Sequence, residues 1–148
     1  MKRINIYTVE LVRESAKLYD LESAYVRMPE DAYRIIEKTL SLSTKTKEHF
    51  VMLTLNTKNK VVGVHTIHIG SVNASIISPR DVYQQALLNN ATSIIVAHNH
   101  PSGSVHPSSE DIEVTKRLRE AGKVLGIDFL DHLIIGDNDY KSLSEEGI

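Results

Sequence analysis

Three histidines, several hydroxyl side chains and two carboxylates crowd the stretch HNHPSGSVHPSSED, which spans residues 98–111. His98 and His100 lie two positions apart, where an apolar run typical of a buried strand passes into a loop. Side chains two apart on a strand share a face and lie roughly 6.6 Å apart along the chain, so two imidazoles can reach one ion. Because histidine is a common zinc ligand, the pair predicts part of a metal site.

The third ligand has two candidates in the same stretch. A tight turn follows His100, and a helix that begins near Ser108 returns Asp111 to the strand end in its first turn. His106 competes with Asp111, but its position in the loop is less fixed relative to the strand. Asp111 is therefore the preferred third ligand. Three protein ligands leave a fourth position for water, as in catalytic rather than structural zinc sites.

The same residues also have a purely structural interpretation. Ser108 is typical of a helix N-cap, and Asp111, three residues later, is favoured by the helix dipole. Under this interpretation the carboxylate caps a helix and binds no metal. Glu110 and Glu113 point to other sides of the helix and are predicted to be solvated.

The remaining histidines are predicted to have structural roles. His65 and His68 lie three apart on one predicted strand, so they should point to opposite faces and not share an ion. His132 lies next to Asp131 in the middle of an apolar run, which is typical of a hydrogen-bonded histidine inside a sheet. His49 stands at the start of a strand.

The composition limits the classes of protein and of metal site. A chain of 148 residues fits one domain, and a domain of about this size buries roughly 68–70% of its unfolded surface. The absence of cysteine excludes disulfides, cysteine-ligated zinc and iron–sulfur clusters. A net charge of −2 gives no overall attraction for nucleic acid. The chain has no apolar run that predicts a membrane span or a signal peptide, so a cytoplasmic globular protein is expected.

The elements that must position these residues alternate between helices and strands along the chain. Pro29, followed by two acids, opens a first helix, because proline suits a first turn and acids favour its positive end. A hairpin, a second helix that begins at Ser78, a buried strand, a third helix and a last strand follow. The predicted ranges are 49–55 and 61–69 for the hairpin, 92–98 and 127–136 for the later strands, and about 109–124 for the third helix, which Gly126 ends.

This order of elements predicts an α/β protein with a mixed sheet, because hairpin strands do not suit a purely parallel one. No repeat or Pro/Gly-rich linker divides the chain, and one domain over residues 29–148 is therefore predicted. Residues 1–28 are predicted to be an N-terminal extension. It would consist of a strand over residues 3–12, where apolar and polar residues partly alternate, and a loop.

The metal-site stretch resembles the JAMM motif of JAB/MPN-domain metalloproteins, which has the form HxH, seven residues, Ser, two residues, Asp. The stretch from His98 to Asp111 fits this form without a gap. More narrowly, residues 29–148 resemble the RadC family. The stretches that carry this resemblance are Glu48-His49-Phe50, Leu55-Asn56-Thr57-Lys58, Ile69-Gly70-Ser71, Ser78-Pro79-Arg80, Ala97-His98-Asn99-His100-Pro101-Ser102-Gly103, Gly126-Ile127 and Leu130-Asp131-His132.

The resemblance implies a fold and a set of roles. The fold would be the JAB/MPN one, a cytidine-deaminase-like, curved mixed β-sheet flanked by helices. His98, His100 and Asp111 would bind zinc. Glu48 would be the catalytic glutamate that deprotonates the attacking water, and Ser108 would donate a hydrogen bond to the oxyanion. The implied activity is zinc-dependent hydrolysis of a peptide or isopeptide-like amide bond in a peptide or protein substrate.

Two other functions stay open at this stage. The name of the RadC family suggests a factor in DNA repair or recombination. Longer RadC proteins, however, carry an N-terminal helix-hairpin-helix segment of DNA-binding type that has no counterpart in residues 1–28. The slightly acidic composition also argues against direct binding to nucleic acid. The other alternative is a module that keeps the fold and the metal but does not catalyse a reaction.

Overall fold

Five strands and three helices make up the fold, which a computed structural model describes over all 148 residues. None of the helices is long and apolar enough to cross a membrane. The strands are β1 (His49–Leu55), β2 (Val61–Ile69), β3 (Ser93–Asn99), β4 (Asp128–Ile135) and β5 (Tyr140–Ser142). The helices are α1 (Pro29–Leu40), α2 (Pro79–Leu88) and α3 (Ser109–Leu125), with a short 3-10 turn at Leu42–Thr44.

The strands form one mixed sheet in the order β2-β1-β3-β4-β5. β3 and β4 are parallel, whereas β1 runs antiparallel to both β2 and β3. The ends of β3 and β4 and the start of β1 therefore meet at one edge of the sheet. This arrangement confirms the predicted mixed α/β class, and it brings the HxH stretch at the end of β3 beside the residues that precede β1.

The two faces of the sheet pack against different helices. Alternate residues of β1 and β3 form one core with α1, which includes Leu53 and Ile95. The intervening residues, such as Met52 and Val96, form a second core with α2 and α3. All seven residues of β3 are buried. A strand that is covered on both faces needs apolar residues at nearly every position, which explains the continuous apolar run seen in the sequence.

The third helix begins and ends at the predicted signals. Its N-cap is Ser108, and its C-cap is Gly126, which has a φ of 73°. Only a residue without a Cβ adopts this left-handed conformation at little cost. The start of α3 is therefore well defined, and this matters because Asp111 lies in the first turn.

The prediction of a strand over residues 3–12 is wrong. Residues 1–21 contain no helix or strand, and the apolar side chains of Ile4, Ile6 and Val9 are at least 70% exposed. Alternation of apolar and polar residues is not sufficient for a strand, because the backbone also needs a neighbouring strand with which to pair. The chain first joins the sheet at Tyr25, which forms an antiparallel bridge with Lys60. The short strand β5 was not predicted, since three residues carry no periodic pattern.

Candidate metal centre

His98, His100 and Asp111 converge at the edge of the sheet where β3 ends. His98 Nε2 lies 3.0 Å from His100 Nε2 and 3.2 Å from Asp111 Oδ1. His100 Nε2 lies 3.2 Å from Asp111 Oδ2. Two ligand atoms of a tetrahedral zinc ion with bonds of about 2.0–2.1 Å are about 3.3 Å apart. The three side chains therefore fit a metal ion with bonds of this length.

The strand end and its surroundings bury most of this group. His98 is fully buried and its ring stacks on that of Phe50, with the centroids 6.3 Å apart. His100 has a side chain that is 15% exposed, and its backbone N–H donates to the carbonyl oxygen of Ile135 in β4 (2.8 Å). Solvent therefore reaches the three convergent side chains from the side of His100.

Asp111 belongs to both the group and the cap of α3. The Asp111 N–H donates to Ser108 Oγ (3.1 Å), and the Ser108 N–H donates to Asp111 Oδ2 (2.8 Å). The structural and the metal-binding interpretations of Asp111 are thus compatible. Burial alone would raise the pKa of Asp111, but the neighbouring imidazole groups of His100 and His98 hold the pKa of this carboxyl well below its usual value. The group therefore contains a carboxylate anion.

His100 presents an unshared electron pair to the group when it is neutral. Its Nδ1 lies 3.0 Å from the carbonyl oxygen of Ser104, which can only accept, so Nδ1 carries the proton. The Nε2 atom is then free to bind a metal. The hydrogen bond with Asp111 raises the pKa of His100, although burial opposes the shift. A proton therefore competes with any metal ion for Nε2.

His132 lies behind His98, inside the protein. It is fully buried in β4, and its Nε2 is 2.7 Å from His98 Nδ1. Burial holds the pKa of His132 well below the usual value, so the ring is neutral. The prediction of a hydrogen-bonded histidine inside the sheet is confirmed, but its hydrogen bond to a member of the metal group was not foreseen.

Glu48 lies beside the group, directly before β1. Antiparallel pairing of β1 with β3 places Phe50 opposite His98, so the residue that precedes β1 comes close to the strand end. Glu48 Oε2 accepts a hydrogen bond from the Val72 N–H (2.8 Å). Besides the hydrogen bond that Asp111 accepts from protonated His100, the charge of Glu48 is a further cause of the raised pKa of His100. Glu48 is therefore near enough to act electrostatically on the group.

Asn99 positions the backbone on both sides of Glu48, and it was not predicted as a functional residue. Its buried side chain accepts a hydrogen bond from the His49 N–H (2.7 Å) and donates one to the Lys47 carbonyl oxygen (2.9 Å). These backbone groups belong to the two residues that flank Glu48. The available signal was an asparagine in a strand buried on both faces, because a buried amide side chain requires hydrogen-bonding partners.

An open polar cleft of about 500 Å³ lies between the segment that follows Val72 and helix α3, and none of the candidate metal ligands lines it. One wall follows Val72, whose N–H holds Glu48, and the other includes the first turn of α3, which carries Asp111. The residues that line the cleft are Asn73, Ala74, Ser75, Glu110, Glu113 and Arg117. The cleft therefore touches both segments that hold the candidate catalytic groups.

The other histidines lie outside the group. His106 is exposed, as are Glu110 and Glu113. The prediction that His65 and His68 point to opposite faces is wrong, because a β-bulge shifts the register of β2 between them. They pair with Met52 and Phe50, which lie on one face of β1. Even so, neither belongs to a group that could hold a metal ion.

The comparison with protein families identifies the fold. A family model described as RadC-like JAB domain matches residues 26–148. UPF0758 proteins of Geobacillus sp. strain WCH70 and Listeria monocytogenes are 48% and 50% identical to this chain over 139 residues, and YsxA of Bacillus subtilis is 48% identical. Each alignment covers 94% of this chain but only 59–61% of the relative.

The chain therefore belongs to the family of RadC-like JAB domains. It spans about 60% of the length of the relatives that it matches. The mixed sheet of five strands with its three flanking helices is consistent with a JAB domain.

Proposed function

We propose that this member of the RadC-like JAB domain family is a zinc-dependent hydrolase of the JAMM type, which cleaves a peptide or isopeptide-like amide bond. The observation that carries the proposal is the convergence of His98 Nε2, His100 Nε2 and an Asp111 oxygen at distances that suit one small metal ion. Two nitrogen ligands and one carboxylate make a donor set typical of catalytic zinc, with a fourth position left for water.

His98, His100 and Asp111 would hold the ion. A bound zinc ion lowers the pKa of a water molecule to about 7 and polarises the scissile carbonyl. Glu48 would take the proton from the attacking water and later deliver it to the leaving amine. The Val72 N–H occupies Glu48 Oε2, so Oε1 is the oxygen that we assign to proton transfer.

Ser108 would stabilise the negative charge on the carbonyl oxygen in the transition state. Its Oγ accepts a hydrogen bond from the Asp111 N–H, so its own proton is available for donation. A donor that is already held in place by a helix cap needs little reorganisation during the reaction. The cap and the proposed catalytic role thus use different parts of the same hydroxyl group.

Zinc content is the first test. Wild-type protein and the double variant His98→Ala/His100→Ala are loaded with zinc, freed of excess metal and analysed for zinc per chain. We expect about one zinc ion per wild-type chain and background levels in the variant. The same low content in both proteins would rule out the proposed centre.

The second test addresses the reaction. A peptide library is digested with zinc-loaded wild-type protein, and zinc-loaded Glu48→Gln serves as the matched control. We expect new amino termini that appear only with the wild type, which would also define the substrate sequence. Equal cleavage by both proteins would remove Glu48 from the proposed mechanism and point to a contaminating peptidase.

A further inference from the structure

A continuous chain of hydrogen bonds runs from the backbone of α3 to the first histidine of the metal centre. Thr115 Oγ1 lies 2.9 Å from the Asp111 carbonyl oxygen and 2.7 Å from His132 Nδ1. His132 Nε2 lies 2.7 Å from His98 Nδ1. Thr115, His132 and His98 are each fully buried, so water does not compete for these hydrogen bonds.

The position of the single Thr115 hydroxyl proton determines which atom donates in each hydrogen bond of this series. The Asp111 carbonyl oxygen can only accept, so the Thr115 hydroxyl must donate its single proton to it. Thr115 Oγ1 then accepts from His132 Nδ1–H. The buried His132 ring has only Thr115 and His98 as partners of its nitrogens, and neither is an anion that would stabilise a second ring proton. With its one proton on Nδ1, the ring accepts at Nε2 from His98 Nδ1–H.

The consequence appears at the opposite side of the His98 ring. A neutral imidazole carries one proton, and with that proton on Nδ1 the Nε2 atom has a free electron pair. This atom is the one that faces His100 and Asp111. Reversal of the chain would put a proton on His98 Nε2 and block that electron pair. It would also require Thr115 to donate its proton to His132 Nδ1, which would leave Thr115 Oγ1 and the Asp111 carbonyl oxygen in contact with no proton between them.

We infer that Thr115 and His132 are positioning residues of the metal centre, because they keep His98 in the tautomer that can bind a metal ion. The inference rests on the proposed function, and it extends the centre to a helix residue that touches neither the ion nor a substrate. Hydrogen-bonding partners behind a histidine ligand fix its tautomer and orientation, and their loss typically weakens metal binding by about 10–100-fold.

The test compares two substitutions at Thr115 in the full chain. Thr115→Val keeps the shape of the side chain but removes the hydroxyl, whereas Thr115→Ser keeps the hydroxyl. Zinc affinity is measured by competition with a chelator. We expect Thr115→Val to bind zinc about 10–100-fold more weakly, and Thr115→Ser to bind it like the wild type. Equal affinities of Thr115→Val and the wild type would overturn the inference.

A second readout needs neither zinc nor activity. Long-range proton–nitrogen NMR correlations of histidine-labelled protein distinguish the two tautomers of each ring. We expect His98 to carry its proton on Nδ1 in the wild type and in Thr115→Ser, and to gain the other tautomer in Thr115→Val. A wild-type His98 with its proton mainly on Nε2 would contradict the inference.

Two substitutions at His132 cover the case in which Thr115→Val does not fold. The amide oxygen of His132→Gln can accept from His98 Nδ1–H, whereas His132→Leu offers no acceptor. We expect zinc affinity to be largely retained in the first variant and lost in the second, and equal affinities in both would oppose the inference. Failure of the wild type itself to bind zinc would instead refute the metal centre, so the two failures are distinguishable.

Discussion

Two clusters of polar groups, one largely buried and one partly buried, lie on the same face of the sheet, at opposite ends of β1. The first, here called the metal cluster, contains His98, His100, Asp111, His132 and Thr115. The second, the His65 cluster, contains Thr54, His65, Gln85 and Asn89. Phe50, which contacts the metal cluster, and Thr54 are four residues apart in β1, a distance of about 13 Å along a strand. Both clusters thus combine histidine with threonine on one face of the sheet.

The two clusters differ in whether their hydrogen bonds leave a histidine ring nitrogen available to bind a metal ion. In the His65 cluster both ring nitrogens of the histidine meet amide oxygens, at 3.2 Å from Gln85 and 2.9 Å from Asn89. Thr54 Oγ1 also contacts Asn89 Oδ1 (2.6 Å). Both ring nitrogens thus have polar neighbours from the protein, and no carboxylate is present. In the metal cluster, the Nδ1 atoms of His98 and His100 make the hydrogen bonds to the surrounding protein. Their Nε2 atoms converge with the Asp111 carboxylate.

This difference separates a structural cluster from a candidate metal centre. Histidine and threonine in a buried position do not predict chemistry, because a buried polar group needs only to be paired. The metal cluster differs because each of its two convergent imidazoles has a hydrogen-bonding partner at Nδ1: His132 for His98, and the Ser104 carbonyl oxygen for His100. Substitutions in it should therefore change metal binding or activity, whereas those in the His65 cluster should change stability alone.

The largest effect is expected for Glu48→Gln. Loss of a general base typically slows a reaction by about 10²–10⁴-fold. Zinc content should stay at the wild-type level, because Glu48 is not one of the three convergent side chains. The measurement is the cleavage rate of a peptide from the library screen, together with zinc per chain. Loss of zinc from Glu48→Gln would instead indicate that Glu48 is itself a metal ligand.

Asp111→Asn should separate the two roles of this residue. The amide oxygen can still accept from the Ser108 N–H, but it lacks the negative charge. We expect zinc affinity to fall by more than the roughly 10–100-fold that is typical of losing a partner behind a ligand. The helix content measured by circular dichroism should hardly change. Simultaneous loss of helix would indicate that the cap depends on the charge of the carboxylate.

Asn99→Ala should weaken the Glu48 side of the metal cluster without touching a ligand. The substitution leaves the His49 N–H and the Lys47 carbonyl oxygen without their partner. A hydrogen bond of this kind contributes about 0.5–1.5 kcal/mol, so denaturant unfolding should report a lower free energy of unfolding. Cleavage should slow while zinc content stays unchanged. Faster loss of zinc than of activity would contradict this assignment.

The pH dependence of zinc binding should reflect His100. Its pKa is raised by the hydrogen bond with Asp111, and only the deprotonated Nε2 can bind a metal. Above this pKa affinity should be nearly constant. Below it, competition with one proton should reduce affinity about tenfold per pH unit. Chelator competition from neutral to acidic pH measures the slope, and a flat profile would mean that no such proton is displaced.

The smallest effect is expected for Thr54→Val in the His65 cluster. The lost hydroxyl removes a hydrogen bond worth about 0.5–1.5 kcal/mol, which thermal or denaturant unfolding can detect. Zinc affinity should equal that of the wild type. Thr115→Val, the same substitution in the metal cluster, is the matched comparison. Equal effects of the two substitutions on zinc would show that the contrast between the clusters is not real.

The parts of the structure that depend on nearby residues were predictable from the sequence. The run before His98 indicated a strand buried on both faces, and Ser108 and Gly126 marked the ends of α3. The spacing of His98, His100 and Asp111 selected the side chains that converge, because the turn and the helix start between them are local. Glu48, by contrast, came only from the family resemblance.

The contacts that sequence reasoning missed depend on the pairing of distant strands. His132 reaches His98 because β3 and β4 are parallel and pair Val96 with His132. Asn99 reaches the neighbours of Glu48 because β1 is antiparallel to β3. Such registers are set by the packing of the whole sheet, which no short motif records. The prediction of a strand over residues 3–12 failed for the same reason, because no neighbouring strand pairs with these residues.

The double use of Asp111 affects how substitutions in related chains should be interpreted. A relative that had given up catalysis would still need an acceptor for the Ser108 N–H, so selection on folding alone could preserve an aspartate at this position. The side chain of His100 contributes less to the fold, because its polar contacts are a loop carbonyl oxygen and its two proposed co-ligands. Retention of His100 together with Glu48, rather than of Asp111, is therefore the more informative marker for separating active members from those that keep only the scaffold.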